Sequence, residues 1–111
     1  MILVTMMIAL AAPDPRTLDR PRKAYASCIK GFESKSLAAK LEPAAYSAAV
    51  KAACPAEAAE LARALIAFDI AMGTKRAAAI ANAATDVGDY PLTSEERYRD
   101  TLGATAAPKP Q

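Results

Sequence analysis

The chain has 111 residues, a net charge of +2 at pH 7 and 29 alanines, but no histidine and no tryptophan. A chain of this length forms one domain, and so small a domain has limited apolar surface with which to stabilise its fold. The lack of histidine removes the commonest general base near neutral pH and the commonest transition-metal ligand. We therefore predict a protein that is not an enzyme and has no catalytic residue, no cofactor-binding residue and no metal site.

The N-terminal residues 1–12 read MILVTMMIALAA, an uncharged and mostly apolar run. This run is shorter than the roughly 20 apolar residues of a membrane-spanning helix, and it fits the apolar core of a secretory signal peptide. Ala9 and Ala11 supply the small-x-small cleavage pattern, so we predict a signal peptide over residues 1–11 and a periplasmic or secreted bacterial protein. No stable membrane span is expected after cleavage. The alternative is an apolar first helix or strand of a cytosolic protein.

Residues 12–21 are predicted to form an extended leader, because this stretch is polar and holds three prolines. A basic cluster overlaps the leader and is composed of Arg16, Arg20, Arg22 and Lys23. The cluster predicts a weak contact with an anionic envelope surface, and the alternative is an ordinary solvated leader. A net charge of +2 with two phenylalanines is a poor signature of nucleic-acid binding, so no nucleic-acid partner is expected.

The helical domain is predicted over residues 22–102. Its first helix, residues 22–41, has apolar side chains at i, i+3, i+4 and i+7. The residues on that face are Tyr25, Cys28, Ile29 and Phe32. Pro43 ends this helix and opens a second one that reaches Cys54, because the residue before a proline disfavours helical geometry while a proline fits the first helical turn.

A third helix is predicted from Pro55 to Met72, although Pro55 has the alternative of kinking one continuous helix. Its core stripe is composed of Cys54, Leu61, Leu65, Phe68 and Met72. Ile66 and Ile70 lie on the opposite side, and Gly73 supplies a left-handed stop.

A fourth helix, residues 75–87, is predicted with Ile80, Ala84 and Val87 facing inward. Pro91 breaks or kinks the chain after it, and the capping-box pattern from Thr93 to Glu96 opens a short last helix that ends at Leu102. The tail, residues 103–111, is predicted to be disordered.

The two cysteines, Cys28 and Cys54, are 26 positions apart, which is not the spacing of a redox pair or of a zinc site. Because disulfides persist in oxidising compartments, export favours a Cys28–Cys54 disulfide. The alternative is two buried free thiols that act as small apolar side chains. Closing a loop of this size constrains the unfolded chain by about 3.5 kcal/mol, which is large for a domain with a small core.

Two pairs of carboxylates, Asp86 with Asp89 and Glu95 with Glu96, are close enough in sequence to bind a hard cation weakly. We interpret them instead as a helix end and a capped helix start. No metal site is therefore predicted from either pair.

Asp69 lies near the core stripe of the third helix, where a partly buried carboxylate needs a partner. Lys75 or Arg76, just past the Gly73 turn, is predicted to supply that partner. Asp69 is the only candidate that we identify for a catalytic acid, and we interpret it as structural.

The segments Tyr25-x-x-Cys28, Leu41 to Tyr46, Ala53 to Glu57, Asp69 to Arg76 and Asp89-Tyr90 resemble small exported bacterial helical proteins with two cysteines and no assigned function. The resemblance covers residues 25–98 and implies a signal peptide followed by a helical bundle. It brings no catalytic residues with it.

We therefore predict an all-α bundle of about four helices, stapled by one disulfide. The predicted function is that of a non-enzymatic envelope protein, an interaction or accessory module that binds an unidentified protein partner through a helix face. The alternative is a small-ligand or lipid carrier with an apolar cavity near Phe32, Leu65 and Phe68.

Overall fold

The computed structural model describes residues 13–106, and the regular structure within that range is entirely helical. A 3₁₀ turn over Pro15–Leu18 is followed by helices α1 (Asp19–Ala38), α2 (Pro43–Val50), α3 (Pro55–Ala71) and α4 (Arg76–Ala106). The prediction of an all-α bundle of about four helices is confirmed. The predicted signal peptide, residues 1–11, lies outside the described residues.

The leader was predicted to be extended, and this is wrong for residues 15–21. Asp14 accepts a hydrogen bond at 2.9 Å from the backbone N–H of Arg16 and so caps the 3₁₀ turn. The Arg16 guanidinium also holds the pKa of the Asp14 carboxyl below its usual range. Leu18 is buried at the end of this turn, so apolar burial as well as capping folds the segment against α1 and α3.

Prolines open two of the helices as predicted, because Pro43 and Pro55 stand in the first turns of α2 and α3. Of the two outcomes predicted at Pro91, the break is wrong, since α4 continues through it, and the kink stays a prediction. An internal proline costs about 3 kcal/mol, and the packing of buried Ser94 and Tyr98 in the following turns offsets that cost. The capping-box residues therefore lie inside a helix.

The C-terminal end of the last helix also differs from its prediction. The last helix extends to Ala106, so its predicted end at Leu102 is wrong. The disorder of the tail stays a prediction, and residues 107–111 lie outside the described part of the chain.

Three stacked aromatic rings form the centre of the core. The Tyr46 and Tyr98 ring centroids are 3.8 Å apart, and the Phe32 ring lies 5.7 Å from that of Tyr46. The Tyr98 hydroxyl donates its one proton to the backbone carbonyl of Leu41, with the Ser36 carbonyl 3.3 Å away, and the Tyr46 hydroxyl shares a hydrogen bond with Ser94. These bonds tie α1, α2 and α4 together at one level of the bundle.

The inward face of α4 differs from the predicted one. Ala79 and Ala83 are buried, whereas Ile80 and Ala84 are exposed and Val87 is half-buried. Ala79 and Ala83 present small methyl groups, which let α3 and α4 approach closely. Met72, predicted on the core stripe of α3, is likewise exposed at the helix end.

The α1 helix ends in a left-handed residue that is not glycine. Lys40 has φ of 55°, and the Leu41 N–H donates to the Ser36 carbonyl at 3.0 Å, as in a Schellman cap. We expect Lys40→Gly to raise the free energy of unfolding by about 1 kcal/mol, because glycine adopts this conformation without strain. Urea unfolding measures the change. Lys35→Gly, inside α1, is the control and is expected to lower stability by a similar amount.

Candidate functional site

One disulfide joins α1 to the start of α3. The Cys28 and Cys54 Cα atoms are 6.1 Å apart, within the range that a disulfide spans. Cys54 has φ of 59°, which is the left-handed conformation, and it immediately precedes Pro55. The predicted disulfide is therefore present, and it fixes the angle at which α3 leaves the turn after α2.

Glu57 brings a carboxylate close to this disulfide, and the ligand atoms of Cys28, Cys54 and Glu57 all lie within 4.8 Å of one another. Metal binding by cysteine requires thiolates. Because the two sulfurs are bonded to each other, the oxidised protein offers only the Glu57 carboxylate to a cation at this position.

A surface cleft of about 270 Å³ lies between α1 and α4. A second hollow shares Ala26 and Tyr90 with it and continues toward the start of α1. We call the combined feature the α1–α4 groove; its lining residues are Asp19, Arg22, Lys23, Ala26, Ile29, Lys30, Asp89, Tyr90, Thr93 and Arg97. Its floor is apolar and its rim carries charge.

Contacts between α1 and α4 hold the groove in register. Near one end, an Arg22 guanidinium nitrogen is 3.7 Å from an Asp86 carboxylate oxygen. The Tyr25 and Tyr90 rings pack with centroids 4.8 Å apart further along. At the other end, Arg97 Nε donates to both carboxylate oxygens of Glu33 at 3.0 and 3.1 Å. The two helices therefore run in the same direction along the groove.

The rim of the groove carries charges of both signs. Arg22 and Arg97 have carboxylate partners, whereas Lys23 and Lys30 make no ion pair within 4.0 Å among residues 13–103. The carboxylates on the rim are those of Asp19 and Asp89, which likewise make no ion pair within 4.0 Å among residues 13–103. The arrangement suits a ligand with an apolar body and charged flanks, because two lysines and two carboxylates remain available beside an apolar floor.

Glu33 was not among the predicted site residues, although a signal for it exists. It is four residues after Ile29 and eight after Tyr25, so it lies on the buried stripe of α1. A buried carboxylate needs a partner, and Arg97 supplies it from 64 positions away. The stripe predicts the burial, but no local pattern identifies the partner.

Asp69 has a different partner from the predicted one. Its carboxylate accepts a hydrogen bond from Asn82 Nδ2 at 3.5 Å, and none of the ion pairs among residues 13–103 includes it. Helical side chains lean toward the N-terminus of their own helix. Asp69 on α3 therefore points away from the turn while Asn82 points toward it, so these two meet and Arg76 does not take part.

The carboxylates of the two predicted pairs all lie on α4, where they have different surroundings. Asp86 pairs with Arg22, and Asp89 lies on the groove. Glu95 is buried, with its Oε2 3.9 Å from an Arg99 nitrogen and its Oε1 without a hydrogen-bond partner. Glu95 on α4 is therefore more buried than Asp69 on α3, because the helix that was predicted to start here in fact continues through it.

The residues expected around a carrier cavity are dispersed. Phe32 lines a cleft beside the disulfide, together with Lys35 and Ala53. Leu65 is buried in the core and Phe68 packs against it. Four clefts in the described part of the chain do not join these three residues, and the carrier function remains a prediction.

Burial perturbs two tyrosines near the groove and the core. It raises the pKa of Tyr25 above 10.0, and the neighbouring Tyr90 adds to this rise. It also raises the pKa of Tyr46 above 10.0, more than the hydrogen bond with Ser94 lowers it. Both phenols are held in the neutral form by the fold.

A fall in stability at alkaline pH follows from these shifts. Unfolded tyrosines ionise near pH 10 while the folded ones keep their protons, so the unfolded state binds fewer protons and stability decreases as pH rises. We expect the free energy of unfolding to fall between about pH 9 and 11, measured by urea unfolding alongside tyrosinate absorbance. Tyr25→Phe/Tyr46→Phe is the control and should show a shallower slope; an equal slope would contradict the assignment.

The fold and site together define a small, disulfide-stapled, all-α protein with an apolar groove, rimmed by charged side chains, between two parallel helices. Within residues 13–106, no helix combines the length and the apolar composition needed to cross a membrane. No family model, curated protein or solved structure matches the chain. The predicted resemblance to exported two-cysteine helical proteins therefore rests on the sequence segments alone.

Proposed function

We propose that this protein is a non-enzymatic, exported accessory module that binds a partner protein of the bacterial envelope through the α1–α4 groove. The observation that carries the proposal is the apolar floor of Ala26, Ile29 and Tyr90 beside two lysines, Lys23 and Lys30, that have no ion-pair partner. Such a surface recognises a segment with apolar side chains and charged flanks, with Asp or Glu facing the two lysines and Lys or Arg facing Asp19 and Asp89.

Rigidity of the groove supports the same proposal. The disulfide anchors α1 to α3, and the Glu33–Arg97 pair anchors α1 to α4. Because a preformed surface loses little conformational entropy on binding, even a small groove gains affinity from a stiff frame.

Export is supported by two features of the chain. The disulfide is compatible with an oxidising, extracytoplasmic compartment, and residues 1–11 have the pattern of a signal peptide. We propose the periplasm or the external medium as the location. Mass spectrometry of protein purified from the envelope fraction tests this, with a chain that begins at Ala12 and lacks two hydrogens as the expected result.

The groove is tested by capturing partners with a tagged chain that begins at Ala12. The variant Ala26→Glu/Lys30→Glu places negative charge on the floor and rim. The matched control, Ala59→Glu/Lys51→Glu, makes the same charge change at exposed positions away from the groove. We expect one envelope protein to be retained by the wild type and the control and lost by the groove variant.

The captured partner is then purified and its Kd for each chain is measured. A Kd at least tenfold weaker for the groove variant, with unchanged circular dichroism, supports the proposal. Equal affinity of the groove variant and the control contradicts it, as does the absence of any retained protein.

A further inference from the structure

The α3–α4 hairpin ends in an exposed apolar surface. We call residues 67–81 the hairpin end; they include the last turn of α3 and the first turn of α4. Ile70, Met72 and Ile80 are 41%, 61% and 46% exposed, which is unusual for large apolar side chains in so small a protein. The exposed small residues around them are Ala67, Ala71, Ala77, Ala78 and Ala81.

The geometry of α1 explains why this surface is left open. Arg22, near the start of α1, pairs with Asp86, which is ten residues past Arg76 and therefore about 15 Å along α4. From there α1 runs away from the hairpin end, toward the Glu33–Arg97 pair. Gly73, with φ of 97°, forms the tight turn that brings the two exposed helix ends together.

The hairpin end is cationic. Residues 70–85 contain Lys75 and Arg76 and no Asp or Glu. Both cations are exposed at the start of α4, whereas the nearby Asp69 is partly buried and bonded to Asn82. The surface thus combines large apolar side chains with two exposed cations at one end of the molecule.

We infer that the hairpin end docks on an anionic lipid surface, with Ile70, Met72 and Ile80 entering the interfacial layer and Lys75 and Arg76 lying against the headgroups. Ile80 is four residues past Arg76, about 6 Å along the helix axis. A hairpin end that lies flat in the interface, as interfacial helices do, therefore brings the apolar side chains and both cations to the surface together. Long cationic side chains at that boundary keep their charges in water.

A second copy of this chain fits the surface less well. A twofold contact places each residue near its own symmetry mate or near residues around it, which brings Lys75 and Arg76 of both copies together without nearby exposed carboxylates. Anionic headgroups instead neutralise these charges, and each cation near such a surface raises affinity about fivefold.

The inference is tested with the chain that begins at Ala12, which contains every described residue. Sedimentation with vesicles of phosphatidylcholine, alone or with about one-third phosphatidylglycerol, measures partitioning. We expect tenfold or stronger binding to the anionic vesicles. Ile70→Ser/Met72→Ser/Ile80→Ser should reduce that binding at least tenfold. Leu92→Ser should leave it unchanged, because Leu92 is 53% exposed on α4 but lies outside the hairpin end.

A second pair of variants tests the charges. Lys75→Gln/Arg76→Gln is expected to remove most of the preference for anionic vesicles, and Lys51→Gln/Arg63→Gln, at exposed positions outside the hairpin end and the groove, is expected to retain it. The reverse result would overturn the inference, as would equal binding by wild type and the serine variant. A concentration-dependent dimer without vesicles that the serine variant abolishes would also overturn it, because a second copy would then cover the surface. The groove variant of the preceding section keeps these residues, so the two proposals fail separately.

Discussion

Removing the disulfide is expected to lower the free energy of unfolding by about 3.5 kcal/mol. The bond closes a loop between positions 26 apart, and in its absence the unfolded chain regains the entropy of that loop. For a domain of this size the change corresponds to a fall in Tm of roughly 15–25 °C. Thermal unfolding of Cys28→Ala/Cys54→Ala, compared with wild type with and without reductant, measures the effect.

The double variant is its own control for reduction. Adding reductant should lower the Tm of the wild type and leave that of the variant unchanged. If the Tm of the variant equalled that of the wild type without reductant, the helices would be held together without the covalent link. The stapled-bundle account of stability would then fail.

The backbone at position 54 sharpens this prediction. Cys54 is left-handed, a conformation that costs a residue with a side chain about 1–2 kcal/mol. Cys28→Ala/Cys54→Gly is therefore expected to be about 1 kcal/mol more stable than the double alanine variant. Urea unfolding of these two variants distinguishes the effect of losing the cross-link from the effect of backbone strain at position 54. If the glycine variant were no more stable than the double alanine variant, the turn would relax once the link is removed.

The second large effect is expected at Tyr98, which is fully buried with 0% exposure and stacked on Tyr46. Tyr98→Ala should lower the free energy of unfolding by about 3–5 kcal/mol, because it removes a large ring from the centre of the core. Tyr98→Phe keeps the ring but leaves the Leu41 carbonyl without this donor, and should cost about 1–2 kcal/mol.

Urea unfolding of both variants tests the two contributions separately. Tyr90→Phe is the matched control, since Tyr90 is only half-buried and lines the groove, and we expect a change below about 0.5 kcal/mol. If Tyr98→Phe were as stable as the wild type, the hydroxyl would not hold the C-terminal end of α1 against α4.

Features that depend on local chemistry agree with the sequence-based expectations. Pro43 and Pro55 open helices because their missing N–H groups cost nothing in a first turn. Gly73 ends α3 because its φ of 97° is unfavourable for other residues. The cysteine pair, with the apolar N-terminus, was sufficient to predict the disulfide.

Features that depend on contacts between distant segments do not follow from such patterns. Local rules place a break at Pro91, yet tertiary packing of the following turn keeps α4 continuous. They also place the large Ile80 inward, although the close approach of α3 selects Ala79 and Ala83 instead. In both cases a local preference of a few kcal/mol or less is outweighed by burial summed over several residues.

The sequence by itself therefore determined the helical class, most helix starts and the covalent link, because each depends on residues that are neighbours in the chain or on the chemistry of one residue type. Only the tertiary structure decided that Glu33 meets Arg97, that Asp69 meets Asn82 and that α1 leaves the hairpin end exposed. These outcomes depend on how the helices are directed and in which register they pack, and no residue carries that information alone.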